Sequence, residues 1–115
     1  MRDIRLRWKS GRLVEATSST NQDFLQAVVA SDEGASAIGE FAMGTNMAVD
    51  RFCKDILIDE KIGGTIHIAL GRSYPECGGT NTSAIHWDIV KDLRREGAVL
   101  VDGTAVLQNG KFLLE

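Results

Sequence analysis

Two Asx-Gly pairs, Asp102-Gly103 and Asn109-Gly110, do most to restrict what this chain can fold into. They interrupt the apolar tail "GAVLVDGTAVLQNGKFLLE" at short intervals. Asp-Gly and Asn-Gly between such runs favour the tight turns that join antiparallel strands, so the tail reads as a β-meander. The N-terminal end repeats the pattern. "IRLRW" alternates apolar and basic side chains, "KSGR" is a turn signal and "LVEAT" is the return strand, so residues 4–17 form a hairpin with a charged outer face, suited to a sheet edge.

Between these ends the periodicity changes. Thr20 or Asn21 is placed to cap a helix, and Phe24, Leu25, Val28 and Val29 follow at helical spacing, with an end near Ser31. "DEGASAIG" adds a short turn of helix, and "EFAMGTN" is a strand running into a glycine turn. "VDRFCKDILIDEKI" favours a short helix. "GTIHIALG" and "AIHWDIV" are strands joined by a Gly-, Ser- and Thr-rich loop over residues 72–83. The expected fold is α+β: a mostly antiparallel or mixed β-sheet, one main helix and a C-terminal β-meander, in a single domain of 115 residues.

Charge and composition narrow the function. A net charge of −3 lacks the basic face of a nucleic-acid binder, so no nucleic-acid partner is expected. No segment approaches the roughly 18 apolar residues of a membrane span, and "MRDIRLRW" is no signal peptide. A cytoplasmic protein without a membrane partner is expected. Cys53 and Cys77, in no C-x-x-C arrangement, are expected to be free thiols.

Three strands share a peculiarity, because residues two apart lie on one face. In "TIHIAL" Ile66, Ile68 and Leu70 oppose Thr65, His67 and Ala69. In "AIHWDIV" Ile85, Trp87 and Ile89 oppose Ala84, His86 and Asp88. In "EFAMG" Phe41 and Met43 oppose Glu40, Ala42 and Gly44. The apolar faces read as core. The opposite faces combine small residues with Glu, His or Asp, as a pocket floor does. Those donors suit zinc, cobalt or manganese, and His86 and Asp88 lie about 7 Å apart along their strand. Histidines that are merely structural or solvated are the alternative.

These residues also carry a resemblance. "GE" at Gly39-Glu40, "GTN" at residues 44–46, "DEK" at residues 59–61, "GTIHIALGRSYP" and "GGTNTSAIHWD" follow one another as in the C-terminal catalytic region of thermophilic metallo-aminopeptidases of the aminopeptidase T and aminopeptidase S type, which are leucyl aminopeptidase-like enzymes. The likeness covers residues 33–90 most strongly. It implies two divalent ions held by two glutamates, two histidines and an aspartate. The second glutamate matches Glu40, the histidines His67 and His86, the aspartate Asp88, and the active-site tyrosine Tyr74. The family's first metal-binding glutamate and its N-terminal domain have no counterpart, and the loop between Tyr74 and His86 is short.

The resemblance implies hydrolysis of N-terminal amino acids from peptide or aminoacyl substrates. Tyr74 would stabilise the oxyanion. Glu60 is one choice of proton acceptor, its alternative being an exposed acid beside Lys61. Asn46 and Asn81 are expected to hold tight backbone turns, and Cys77 to be incidental. With one ligand missing, the chain is expected to hold one divalent ion or none where the family holds two, and to be weak or inactive alone. A non-catalytic metal-binding or oligomerisation remnant is the alternative. Family members are dimers, so a homo-oligomer is expected.

Overall fold

The N-terminal hairpin forms where the alternation places it. In the computed structural model, which describes residues 1–113, β1 (Arg5–Lys9) pairs antiparallel with β2 (Arg12–Thr17). Ser10 and Gly11 both have positive φ, 50° and 77°, the twist that a two-residue hairpin turn requires. A bulge between Arg7 and Trp8 shifts the register, and the Trp8 indole N–H donates to the Ser36 carbonyl at 2.8 Å.

The main helix, α1 (Gln22–Val29), starts at the expected residue by an unexpected route. Asn21 is the cap, but it sits in the left-handed region at φ 55° and its side chain makes no capping bond. Gln22 ties down the segment before the helix instead: its carbonyl accepts from the Ser18 amide at 2.7 Å and its amide donates to the Ala16 carbonyl at 3.0 Å. Leu25 is fully buried, whereas Phe24 is exposed and meets Trp87 edge-on.

The remaining elements follow in order: β3 (Ile38–Met43), a one-turn helix α2 (Ile56–Asp59), β4 (Thr65–Gly71), a 3₁₀ turn at Pro75–Cys77, β5 (His86–Asp92), β6 (Ala98–Val101), β7 (Thr104–Gln108) and β8 (Lys111–Phe112). The turn of helix expected from "DEGASAIG" does not form; turns and bends lead directly into β3. Asp32 and Gly34 there hydrogen-bond into a non-helical turn. The central sheet has the order β3-β4-β5. Its neighbours are antiparallel, since Gly44 and Ala37 meet Thr65 and Gly71 in reversed order, as Ile85 and Leu93 meet Arg72 and Gly64. The tail is a three-stranded meander, β6-β7-β8. Its two turns, at Asp102-Gly103 and Asn109-Gly110, have the positive φ values that the Asx-Gly pairs predict. The α+β architecture is therefore as expected.

Two compact units can be distinguished. The first comprises Met1–Glu40 and Ala69–Trp87, with Leu25, Ala35, Ala69 and Leu70 fully buried. The second comprises Phe41–Ile68 and the chain from Asp88 on, with Ile62, Thr65 and Leu107 fully buried. Among the described residues, no helix is long and apolar enough to cross a membrane. Cys53 and Cys77 are free and exposed.

The face assignment needs correction. In β4 it is Thr65, His67 and Ala69 that are buried, while Ile66 and Ile68 are only half-buried. On β3 the supposed core residue Phe41 is exposed. Small size next to a histidine marks close packing here, because only Thr and Ala leave room for a buried imidazole on that face.

Candidate active site

In the first unit, three elements converge on His86. It opens β5, Glu40 lies on β3, and Tyr74 stands in the loop between β4 and β5. His86 Nε2 lies 3.4 Å from Glu40 Oε2, with both side chains about one-quarter exposed. His86 Nδ1 lies 2.8 Å from the Arg72 carbonyl oxygen. A carbonyl only accepts, so this contact calls for a proton on Nδ1, and Nε2 is the ring atom that meets Glu40. The Tyr74 ring packs edge-on against the imidazole, with centroids 5.5 Å apart.

The loop that holds Tyr74 is fixed by its own hydrogen bonds. Tyr74 precedes Pro75 in an extended conformation, and its carbonyl accepts from the Cys77 and Gly79 amides. Gly78, at φ 80°, turns the chain back. Ser73 and Asn81 close the base: the Ser73 amide donates to the Asn81 carbonyl and the Asn81 amide to Ser73 Oγ, at 3.1 and 3.0 Å. Asp32 meets the far end of the loop. Its carboxylate accepts from Ser83 Oγ at 2.8 and 2.9 Å, from the Ala84 amide at 2.9 Å and from the Gly34 amide at 3.0 Å. The bonds from Ala84 and Ser83, outweighing the opposing effect of burial, hold the Asp32 carboxyl below its ordinary value. A cavity of about 460 Å³ lies between residues 32–34 and 80–83.

In the second unit, Glu60, His67 and Asp88 each offer one donor atom within 4.8 Å of the others. His67 Nε2 is 3.9 Å from Glu60 Oε2, and both side chains are largely covered. Glu60 does pair with Lys61, as its alternative reading had it, but it is not an exposed acid. Its neighbour Asp59 is buried and accepts from the Cys53 and Lys54 amides at 2.9 and 3.1 Å, so the segment before α2 is folded onto the residue beside Glu60. Asp55 caps α2 by accepting from the Leu57 amide at 3.0 Å. Asn46 and Asn81 both bond backbone amides through their side chains, as expected of turn residues.

The structure thus brings together Glu40 with His86 and Tyr74, and His67 with Asp88. It adds Glu60 to the second set as a possible metal donor. The sequence signal for that role was present in "DEK", but an acid next to a lysine at the end of a short helix does not announce which way it points.

The donor chemistry fits a divalent ion. Bonds of about 2.0–2.2 Å to nitrogen and oxygen at tetrahedral angles place two ligands about 3.3–3.6 Å apart, a range that includes the 3.4 Å between His86 Nε2 and Glu40 Oε2. Against this geometry the comparison with known proteins is specific. Over residues 1–112 the chain matches the thermophilic metalloprotease family (M29), and it belongs to that family. No curated protein matches it. The resemblance read from the ordered motifs is borne out at family level: this is a metallopeptidase family, whose chemistry is hydrolysis with a divalent metal.

Proposed function

We propose that the chain acts as a metal-dependent aminopeptidase domain, removing N-terminal residues from peptides, with Glu40, His67, His86 and Asp88 as metal ligands. Glu60 joins them as a further ligand or as the proton acceptor; both roles require its carboxylate form. The observation that carries this reading is the pair His86 Nε2 and Glu40 Oε2. With Nδ1 turned to the Arg72 carbonyl, Nε2 is the ring atom that faces Glu40, at 3.4 Å. A divalent ion at that spacing would take one donor from each side chain. His86 and Asp88 share a face of β5 by strand alternation, which supports a common role.

A bound divalent ion would polarise the scissile carbonyl and make water nucleophilic at neutral pH. The chain's residues then have simple tasks. Tyr74, half-exposed beside His86, offers its hydroxyl to the developing oxyanion. Glu60 takes the proton of the attacking water, and the ring contact with His86 holds Tyr74 in place. Zinc, cobalt and manganese all suit the donors. Exposed apolar side chains such as Met47 and Leu57 in the second unit support self-association, which light scattering would reveal. The net charge of −3 supports a function without a nucleic-acid partner.

The test is hydrolysis of a leucine anilide with each metal, alongside metal counting. Metal-dependent turnover, however slow, that disappears in His86→Ala supports the enzyme, as do two ions per chain. Equal rates in both chains, with one ion or none, overturn it in favour of a non-catalytic remnant.

A further inference from the structure

We propose that Asp32 and Asn81 act as positioning residues, forming a clasp that fixes the tautomer of His86 and the placement of Tyr74. The proposal deepens the reading of His86 as a metal ligand and rests on it. Neither residue belongs to the ligand set, and neither is used in the chemistry described above.

The path is continuous within the first unit. Asp32 binds Ser83 Oγ and the Ala84 amide, and Ser83 Oγ in turn accepts from the Ile85 amide at 3.2 Å. Three successive residues immediately before His86 are therefore set by one carboxylate. Ser83 is 4% exposed, so water competes little for these bonds. Asn81 works from the other side of the loop. Its amide donates to the Gly34 carbonyl at 2.9 Å and its carbonyl accepts from the Ser83 amide at 3.0 Å. A Cβ at Gly34 would overlap Asn81 Oδ1, so a side chain there would displace the Asn81 amide from its bonds.

The clasp reaches the imidazole through Arg72. Its amide donates to the Ile85 carbonyl at 2.7 Å and its guanidinium to the Ser83 carbonyl at 3.1 Å. These bonds aim the Arg72 carbonyl at His86 Nδ1. Partners that orient a metal-binding histidine typically change metal affinity 10–100-fold when removed. A loop released from residues 32–34 lets the Arg72 carbonyl turn away, and the proton on Nδ1 loses its acceptor. Tyr74, two residues beyond Arg72, moves with it.

The chain has only two histidines, which makes the test direct. Long-range proton–nitrogen NMR spectra of the metal-free chain, recorded well above the ordinary histidine pKa, report each ring's tautomer, and His67→Gln assigns the signals. The expected result is a single Nδ1–H tautomer for His86 in the wild type and a mixture in Asp32→Ala and Asn81→Ala, with the His67 signals unchanged. Ser83→Ala, which removes one hydroxyl, is the milder variant should the others fail to fold, and it should shift His86 in the same direction. Asp32→Asn, which keeps one acceptor oxygen, should restore part of the wild-type spectrum. Zinc titrations should show 10–100-fold weaker binding in folded Asp32→Ala and Asn81→Ala. Folded variants that keep a single Nδ1–H tautomer overturn the clasp. A wild-type chain that binds no zinc overturns the metal reading instead, and the tautomer spectra still decide the clasp.

Discussion

The two histidines occupy matching contexts in sequence and contrasting ones in space. Each lies in a β-strand and each has a glutamate oxygen within 4 Å. Yet the His67 side chain is 5% exposed and lies between buried Thr65 and Ala69, whereas that of His86 is 27% exposed and leans on a loop. His67 is part of what makes its unit fold. His86 is held in place by a loop that folds around it. Candidate ligands of the same type should therefore fail differently when removed.

The largest difference is expected in stability. His67→Ala leaves a hole beside fully buried side chains, and such losses cost about 2–4 kcal/mol. Urea unfolding should show a midpoint well below that of wild type. A variant as stable as wild type would mean that the burial of His67 adds nothing, and the contrast would fall. His86→Ala empties a partly exposed site, and the hydrogen bond to the Arg72 carbonyl that it removes is worth about 1 kcal/mol, so its midpoint should move far less.

Metal addition sharpens the comparison, because binding to the native state adds stability in proportion to the logarithm of ligand over Kd. At a hundredfold excess of zinc over Kd the wild type should gain about 2.7 kcal/mol. His86→Ala, though well folded without metal, should gain much less. An equal gain in both chains, read as the zinc-induced shift in midpoint, would place the ion away from His86.

The extent to which these features were legible in the sequence follows the same division. Most local signals held: the Asx-Gly turns, the hairpin turn at Ser10-Gly11 and the helix start at Asn21 depend on nearest neighbours, whereas "DEGASAIG" forms no helical turn. The ordered motifs from Gly39 to Asp88 sufficed for the family, because each stands at a defined place in the chain. Which face of a strand is buried was not legible. Alternation in "TIHIAL" distinguishes two faces, but burial depends on what packs against each, and the apolar side proved the less covered one. Nor could sequence alone reveal the Asp32 clasp, since its partners lie about fifty residues away and hydroxyl and amide groups make no distinctive pattern. The same holds for Glu60, whose orientation toward His67 depends on the short helix before it.

The smallest expected effect separates two carboxylates by the kind of group that holds them. In the first unit, neutral donors keep Asp32 ionised: the Ala84 and Gly34 amides and the Ser83 hydroxyl. In the second, Asp92 accepts from the Arg94 guanidinium at 2.9 and 2.8 Å, and that bond is the main reason its carboxyl lies below the ordinary value; burial, the next largest effect, opposes it, and the Arg94 amide and the Arg94 and Arg95 charges add to the lowering. Both carboxyls are lowered by folding, so the unfolded chain binds protons first as pH falls. The resulting stability is complete above the ordinary value of 3.8 and is lost as pH drops through the lower folded values. Asp32→Asn and Asp92→Asn should each flatten the acid side of a stability–pH curve. Salt should tell them apart. The Asp92–Arg94 pair is about one-third exposed, so 1 M salt screens its charges and weakens a contribution of at most about 1 kcal/mol. Hydrogen bonds from amides and a hydroxyl carry no such dependence. The acid slope removed by Asp92→Asn should therefore shrink in high salt, while that removed by Asp32→Asn persists. Equal salt sensitivity of the two slopes, measured by urea unfolding across the acid range, would show that charge and not hydrogen bonding holds both carboxylates.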